Sequence, residues 1–194
     1  MGNRGHSVAG RAVTENRTRE QAMNDTQVYI RIATPSDGEK LLSMFARASS
    51  ETIYKRFHIP YPEVPEWMVD LMLGTDHHDK ESLVAVAEEK IVGHSLYVRF
   101  GDDTEAEMAI IVEDRWQSMG VGKALLSELE ERARLRGIDT FTGEVLATNR
   151  AMLGLAAMFA GTHYKIEDGV YHVRMPLQTI ESAASVQQDL RRAA

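Results

Sequence analysis

Residues 105–124 read EAEMAIIVEDRWQSMGVGKA, an apolar run followed by a polar stretch and two closely spaced glycines. Ala106–Val112 is almost continuously apolar, which predicts a strand. Beyond the glycines, acids and arginines occupy one side of a predicted helix that ends near Gly137. The other side carries apolar residues at helical spacing, namely Val121, Ala124, Leu125, Leu129 and Ala133. The stretch therefore predicts a strand, a loop and a long helix in succession.

The loop Gln117–Ala124 has the chemistry of an anion-binding site. Gly120 and Gly122 let the backbone turn tightly and approach a ligand without interference from a Cβ atom. The helix begins directly behind them, and its free N–H groups and positive dipole end attract anions. The segment is neither a Walker A loop nor G-x-G-x-x-G. Taken alone it predicts either a pyrophosphate site or a simple glycine-containing turn.

The flanking segments predict a mixed sheet with few helices. The Asp168–Gly169 pair between two apolar runs is a strong signal for a two-residue hairpin. The chain is therefore predicted to be an α/β protein, with an α+β mixed sheet in the order β-α-α-β-β-β-α-β-α-β-β. Glu66–Leu73 is compatible with a further short helix. The predicted strands are 28–32, 82–87, 91–98, 106–112, 141–146, 163–167 and 170–175, and the other predicted helices cover about 41–48, 51–57 and 150–159.

The bulk composition predicts one globular domain with loosely attached ends. The 194 residues suffice for a single domain with a substantial core. Residues 1–26 contain almost no large apolar residues and are expected to form a disordered leader. Residues 27–177 form the predicted domain. Residues 178–194 have helical composition with weak periodicity and are expected to form a C-terminal tail.

Charge and cysteine content exclude several classes of function. The chain has 29 acidic and 22 basic side chains, a net charge of -7, so nucleic acid is not an expected partner. No stretch approaches the roughly 18 apolar residues of a membrane helix. The absence of cysteine excludes disulfides and thiolate metal sites and fits the cytoplasm. His77 and His78 lie beside Asp76 and Asp79, but a polar loop is the default interpretation and no metal is expected.

The glycine loop also resembles a known family. Gln117-x-x-Gly120-x-Gly122 matches the Q/R-x-x-G-x-G/A loop of the GNAT superfamily of N-acetyltransferases, and the predicted strand order agrees over about residues 28–177. The resemblance implies a GNAT-like fold and acetyl-CoA as donor. The residues that it assigns to the CoA pyrophosphate are Gln117, Ser118, Met119, Gly120, Val121, Gly122, Lys123 and Ala124.

The same resemblance assigns the pantetheine arm of CoA to residues outside the loop. Backbone groups of Ile110, Ile111 and Val112 are expected to contact it, as is Asn149 at the start of the next helix. Asn149 is equally suited to capping that helix, and it is able to serve both purposes.

A narrower resemblance is to the acetyltransferase domain of bacterial Pat-type protein lysine acetyltransferases. It rests on residues 30–37, 50–57 and 144–153, which read IRIATPSD, SETIYKRF and EVLATNRAML. It implies that a protein lysine accepts the acetyl group. A small-molecule amine is the alternative acceptor, and a catalytically decayed acyl-CoA-binding regulatory module is the alternative function. The oligomeric state is not predicted.

Acetylation of an amine needs a base, because a lysine ammonium has a pKa of about 10.4. Glu107 matches the family's usual general base, and its apolar neighbours predict partial burial. The alternative is a solvent-facing carboxylate on an edge strand. Glu105 and Glu113 are weaker candidates, and Glu113 is expected at the surface.

The general acid departs from the wider family pattern. Many members place a tyrosine seven residues after the asparagine, where this chain has Ala156. Tyr164 is interpreted mainly as a core residue, with a role as substitute acid as the alternative. Protonation of the leaving thiolate by solvent is also sufficient in principle.

Overall fold

A computed structural model describes residues 27–101 and 103–177, and within them one seven-stranded sheet forms the centre of the fold. The predicted leader (1–26) and tail (178–194) lie outside the described residues. The spatial strand order is β1-β2-β3-β4-β5-β7-β6. The strands are β1 (Tyr29–Ile32), β2 (Lys80–Ala87), β3 (Lys90–Arg99), β4 (Glu105–Val112), β5 (Thr140–Leu146), β6 (His163–Glu167) and β7 (Val170–Pro176).

Five α-helices accompany the sheet within the described residues, and none is long and apolar enough to cross a bilayer. The predicted order had two helices between the first two strands, whereas the structure has three. Chain reversal near His58 (φ 56°) and the prolines at 60, 62 and 65 separate the last of them from its predecessor. The helices are α1 (Gly38–Arg47), α2 (Ser50–Phe57), α3 (Glu66–Leu73), α4 (Val121–Leu135) and α5 (Arg150–Ala156).

Helices cover both faces of the sheet, which explains why β2 and β3 are buried along almost their whole length. One apolar cluster lies between α4 and the sheet, with Leu125 and Leu129 fully buried. Gly93 in β3 allows this close approach, because a Cβ there would lie 3.0 Å from Leu125 Cδ1. A second cluster joins the opposite face to α1, α2 and α3.

Strand pairing changes character at β4. The pairs β1–β2, β2–β3 and β3–β4 are antiparallel. The β4–β5 pair is parallel and its register covers only Glu105–Thr140, Ala106–Phe141 and Glu107–Thr142. Beyond Glu107 the two strands are not paired, which leaves the second half of β4 accessible from the β5 side.

An ion pair between the partly exposed Arg31 and the buried Asp37 fixes the chain between β1 and α1. Arg31 donates two hydrogen bonds of 2.7 Å to the Asp37 carboxylate, and the backbone N–H of Thr34 donates a third at 2.8 Å. Asp37 is 3% exposed. The hydrogen bond from Arg31 is the largest cause that lowers the pKa of Asp37 to about 2, although burial opposes the shift.

We expect Asp37→Asn to lower the free energy of unfolding by about 2 kcal/mol at neutral pH. Because the folded-state pKa lies below the ordinary 3.8, this stabilisation is complete above that value and is lost as the pH falls toward about 2. Urea denaturation at pH values of about 7 and 3 measures the difference. Glu39→Gln, which changes an exposed carboxylate of α1, is the control. An equal difference between wild type and Asp37→Asn at both pH values would contradict the assignment.

Candidate active site

The cleft between β4 and β5 holds two adjoining cavities. The first, of about 230 Å³, is lined by Glu107 and the residues that follow it on β4, and by residues 143–145 of β5. The second, of about 320 Å³, extends along Ile110–Val112 to the glycine loop. The two cavities share a border, which we call the seam, formed by Lys55, Arg56, Ile110, Asn149 and Met152. The site is therefore one continuous cleft with two ends.

The glycine loop presents backbone donors to the second cavity. Gly120 has φ 83°, a left-handed conformation that side chains resist, and it is the residue from which α4 starts. Ala124 N–H makes the first helical hydrogen bond, to Gly120 O at 3.0 Å. The N–H groups of the preceding helical residues have no helical acceptor and are directed out of the helix N-terminus. This end of the cleft is therefore suited to a phosphate group.

Most of the residues assigned to the donor by resemblance line the second cavity. These residues are Ile110, Ile111, Val112, Gln117, Ser118, Gly120, Gly122, Lys123 and Asn149. Three predicted loop residues do not line it. Val121 is buried in the core under α4, Met119 packs partly against the same core, and Ala124 is exposed. Their side chains leave the loop in other directions, because only part of a tight turn faces one ligand.

A polar network ties the loop to α2. Asp114 accepts hydrogen bonds from the Ser49 hydroxyl at 2.7 Å and from the Thr52 hydroxyl at 2.9 Å. The Gln117 amide donates to the Thr52 hydroxyl at 3.0 Å and to Val112 O at 2.9 Å. Burial raises the pKa of Asp114, but the hydrogen bonds from Ser49 and Thr52 outweigh it and the net shift is downward. The carboxylate therefore stays ionised and holds α2 against the cleft.

Asn149 performs the structural half of its predicted double role. Its side-chain Oδ1 accepts a hydrogen bond from Met152 N–H at 3.1 Å, which caps α5. Asn149 also lines both cavities, where its amide N–H₂ group has no acceptor among the described residues. The amide N–H₂ group of Asn149 is therefore able to donate a hydrogen bond to a ligand carbonyl in the cleft.

Glu107 lies in the first cavity, but its expected burial is wrong because the side chain is exposed. The alternative is correct in that Glu107 faces solvent and wrong in its edge strand, since β4 is an interior strand of the sheet. Glu105 lies outside both cavities and forms an ion pair with Arg174. Glu113 is not a surface residue: it is buried and forms a 2.8 Å ion pair with Arg47. Of the three carboxylates, Glu107 alone faces the cleft.

The sequence did not single out the wall that α2 contributes. Thr52, Lys55 and Arg56 line the second cavity, and the last two also line the first. Their spacing of three and four residues puts them on one face of a helix, which is the signal that was available. Glu144 of β5 lines the first cavity as well and lies 3.4 Å from His172 Nδ1.

Arg56 of this wall is partly buried, and the buried residues His94 and Ser82 lie close to it. Burial lowers the pKa of Arg56 to about 10, and the charge of Glu107 opposes that shift. His94 is fully buried, and burial, followed by the charges of Arg56 and Lys80, lowers its pKa to about 3. His94 Nε2 pairs with the Ser82 hydroxyl at 2.8 Å. At neutral pH the cation of this group is therefore Arg56, and His94 is neutral.

No tyrosine of the described residues lines either cavity in the place of the family's general acid. Ala156 is fully buried. Tyr164 is 43% exposed on the edge strand β6, where its ring packs edge-on against Tyr171 at 6.1 Å. Tyr164 is therefore neither the predicted core residue nor a substitute acid.

The histidine-containing loop is held by its own hydrogen bonds. His77 pairs with the buried Glu81 at 2.9 Å and His78 pairs with Asp79 at 2.8 Å. Asp76 accepts backbone N–H groups from residues 78, 79 and 80. Residues 27–101 and 103–177 contain no group of three or more His, Cys, Asp or Glu side chains able to hold a metal ion.

Comparison with known proteins identifies relatives of this architecture. Residues 43–161 match the model of the Acetyltransferase (GNAT) family. The Acetyltransferase Pat of Mycolicibacterium smegmatis is 31% identical over 127 residues, which are 64% of this chain and 38% of that protein. The chain thus spans well under half of the length of this curated relative.

Two solved structures relate the fold to the same family. The crystal structure of the GNAT domain of S. lividans PAT is 33% identical, with a TM-score of 0.72 over 77% of this chain and 90% of that domain. YncA of Salmonella typhimurium, solved with its cofactor acetyl-CoA, shares the fold at 17% identity, with a TM-score of 0.63 over 78% of this chain and 94% of that one.

The predicted family and mixed fold are confirmed by these matches. The family model covers more than half of the 194 residues. The relative with 33% identity is covered over 90% of its length. The chain therefore belongs to the GNAT family of acetyltransferases, enzymes that transfer an acetyl group from acetyl-CoA to an amine nitrogen.

Proposed function

We propose that this enzyme acetylates a lysine side chain of a protein, with Glu107 as general base. The observation that carries the proposal is the position of Glu107, in the first cavity and beside the seam with the second. The glycine loop at the far end of the second cavity would hold the CoA pyrophosphate. The acceptor amine would then enter through the first cavity. The predicted cytoplasmic location stays a prediction.

The donor end of the cleft is supported by its backbone. The second half of β4 is unpaired on the β5 side, as an amide-containing arm requires if it is to add beside the strand. Part of this capacity is already used, because Val112 O accepts the Gln117 amide. Lys123 and the helix N-terminus supply positive charge for the phosphates.

The acceptor end is supported by its carboxylates. Glu107 and Glu144 line the first cavity from β4 and β5 and offer a cationic side chain two anionic contacts, on the side opposite Lys55 and Arg56 of α2. Lysine reaches the site as an ammonium and must lose a proton before its nitrogen can attack a carbonyl carbon. Glu107 accepts that proton, directly or through one water, and the neutral amine then attacks the thioester.

Gly120→Val should weaken acetyl-CoA binding by about 10- to 100-fold, because the left-handed turn and its phosphate-binding N–H groups are lost. Gly137→Val is a matched control: it has a similar φ of 76° and lies just beyond the other end of α4. Both variants bear comparable backbone strain, but only the first should lose affinity in calorimetric titration with acetyl-CoA. Equal affinities would contradict the pyrophosphate assignment.

Glu107→Gln should leave acetyl-CoA affinity nearly unchanged and lower kcat by about 10²- to 10⁴-fold, the usual contribution of a positioned base. Glu105→Gln provides the control, since this residue lies on the same strand but pairs with Arg174 outside both cavities. Stopped-time assays of CoA release measure both variants. Turnover of Glu107→Gln that equals the control across pH would remove Glu107 from the mechanism.

The acceptor is tested by CoA release from acetyl-CoA with a panel of small amines and with a lysine-bearing protein such as an acyl-CoA synthetase. We expect release that depends on the protein, with acetyl-lysine in its peptides by mass spectrometry. Release with a small amine alone would replace the protein-lysine proposal. Acetyl-CoA binding without release from any acceptor would favour the regulatory module.

A further inference from the structure

The two substrates can meet only at the seam, because the seam residues alone line both cavities. Two of these residues are charged, Lys55 and Arg56. The seam also includes the apolar side chains of Ile110 and Met152 and the amide of Asn149. The electrostatic environment of the reacting thioester is therefore set largely by the two cations and by Glu107.

The two cations differ in their partners. Lys55 Nζ lies 2.5 Å from Glu51 Oε1, one turn earlier on α2. Within the described part of the chain Arg56 makes no hydrogen bond or ion pair, and its buried Nε atom has no acceptor. Its guanidinium carbon lies 4.8 Å from the ring centroid of Phe57. Arg56 is therefore a half-buried guanidinium with its hydrogen-bond donors unused.

An unpaired cation in a partly buried position is costly unless an anion uses it. Glu107 is exposed and interacts with Arg56 through its charge without a hydrogen bond. His94, behind Arg56, stays neutral and provides no counter-charge. Glu144 is the other carboxylate of the first cavity, and it lies beside His172. The free donors of Arg56 thus remain available to an anion that forms in the cleft.

We propose that Arg56 is a further catalytic residue, whose guanidinium donates a hydrogen bond to the CoA thiolate as it leaves. This inference rests on the proposed function only in that acetyl-CoA occupies the second cavity. In many relatives a tyrosine at the position of Ala156 protonates the leaving thiolate. Arg56 would instead stabilise the thiolate by its charge. Burial lowers the pKa of Arg56 only to about 10, so the side chain is still cationic at neutral pH.

The bond changes balance without any further reactant. The lone pair of the neutral amine forms a C–N bond to the acetyl carbonyl carbon, and the C–S bond breaks with its electron pair on sulfur. Glu107 takes the amine proton and passes it to solvent. Arg56 keeps its own protons and stabilises the sulfur anion, which is protonated by water as CoA departs.

The direct test is the ionisation of bound CoA, which needs no acceptor and no turnover. The ultraviolet absorbance of the thiolate is followed against pH for CoA bound to wild type, Arg56→Ala and Arg56→Lys. The free thiol of cysteine has a pKa of about 8.5. We expect the pKa of the bound thiol to rise by about one unit or more in Arg56→Ala, because a nearby opposite charge favours the ionised form. Arg56→Lys, which keeps the charge, should retain part of the effect.

The control is Lys55→Ala, which removes a cation from the same seam and the same helix. Because Lys55 is already paired with Glu51, its removal should move the pKa of the bound thiol less than removal of Arg56 does. Identical thiol pKa values in wild type and Arg56→Ala would overturn the proposal. A larger shift in Lys55→Ala would also overturn it, since the thiolate would then depend on the wrong cation.

Chemical rescue gives a second readout, because an added guanidinium compound should not restore the rate if Arg56 has only a structural role. Arg56→Ala should lose about 10²-fold in kcat while its affinity for acetyl-CoA changes little. Added ethylguanidinium should restore part of the rate in Arg56→Ala and none in Lys55→Ala. Loss of acetyl-CoA affinity in proportion to kcat, without rescue, would overturn the proposal. Failure of the protein-lysine proposal can be distinguished from failure of this one. The difference in bound-thiol pKa between wild type and Arg56→Ala would persist even if the acceptor were not a protein lysine.

Discussion

The short parallel pairing of β4 with β5 is the constraint on which the active site depends. Its register ends at Glu107, so the strands are joined just far enough to fix Glu107 beside β5. Beyond that point the strands diverge, and the space between them becomes the cleft. The antiparallel pairing of β4 with β3 continues to Val112 and holds the unpaired half of β4 in the sheet. A longer ladder would close the cleft, and a shorter one would no longer hold Glu107 beside β5.

A second constraint sets the width of the cleft from the side of α2. Asp114 and Gln117 belong to the segment between β4 and α4, whereas Ser49 and Thr52 belong to the start of α2. Their hydrogen bonds place the seam residues Lys55 and Arg56 opposite β4. Ser49, Asp114 and Gln117 are exposed and only Thr52 is buried, so these hydrogen bonds tie the start of α2 to the loop at the surface of the protein. The charge at the seam is therefore positioned by polar contacts made at the glycine-loop end of the cleft.

The sequence predicted the sheet and the glycine-containing turn before α4 well, because both depend on local signals. Apolar runs, paired glycines and the Asp168–Gly169 turn each determine the backbone conformation of only a few neighbouring residues. The contribution of α2 depends on contacts across more than sixty positions, such as Thr52 with Gln117, and no local pattern reveals them. The same limit explains the errors at Glu113 and Tyr164. Burial of Glu113 is decided by Arg47, and exposure of Tyr164 by the position of β6 at the sheet edge.

The network between α2 and the loop also limits which related enzymes can be joined into a working chimera. Thr52, Asp114 and Gln117 come from distant parts of the chain yet share hydrogen bonds, so the effects of changing them are not additive. A chimera whose crossover falls between residues 57 and 105 would combine an α2 and a loop from different parents. Only parents with matching polar partners would give a seam of the right geometry. We therefore expect substitutions at the three positions to be accepted together more readily than singly.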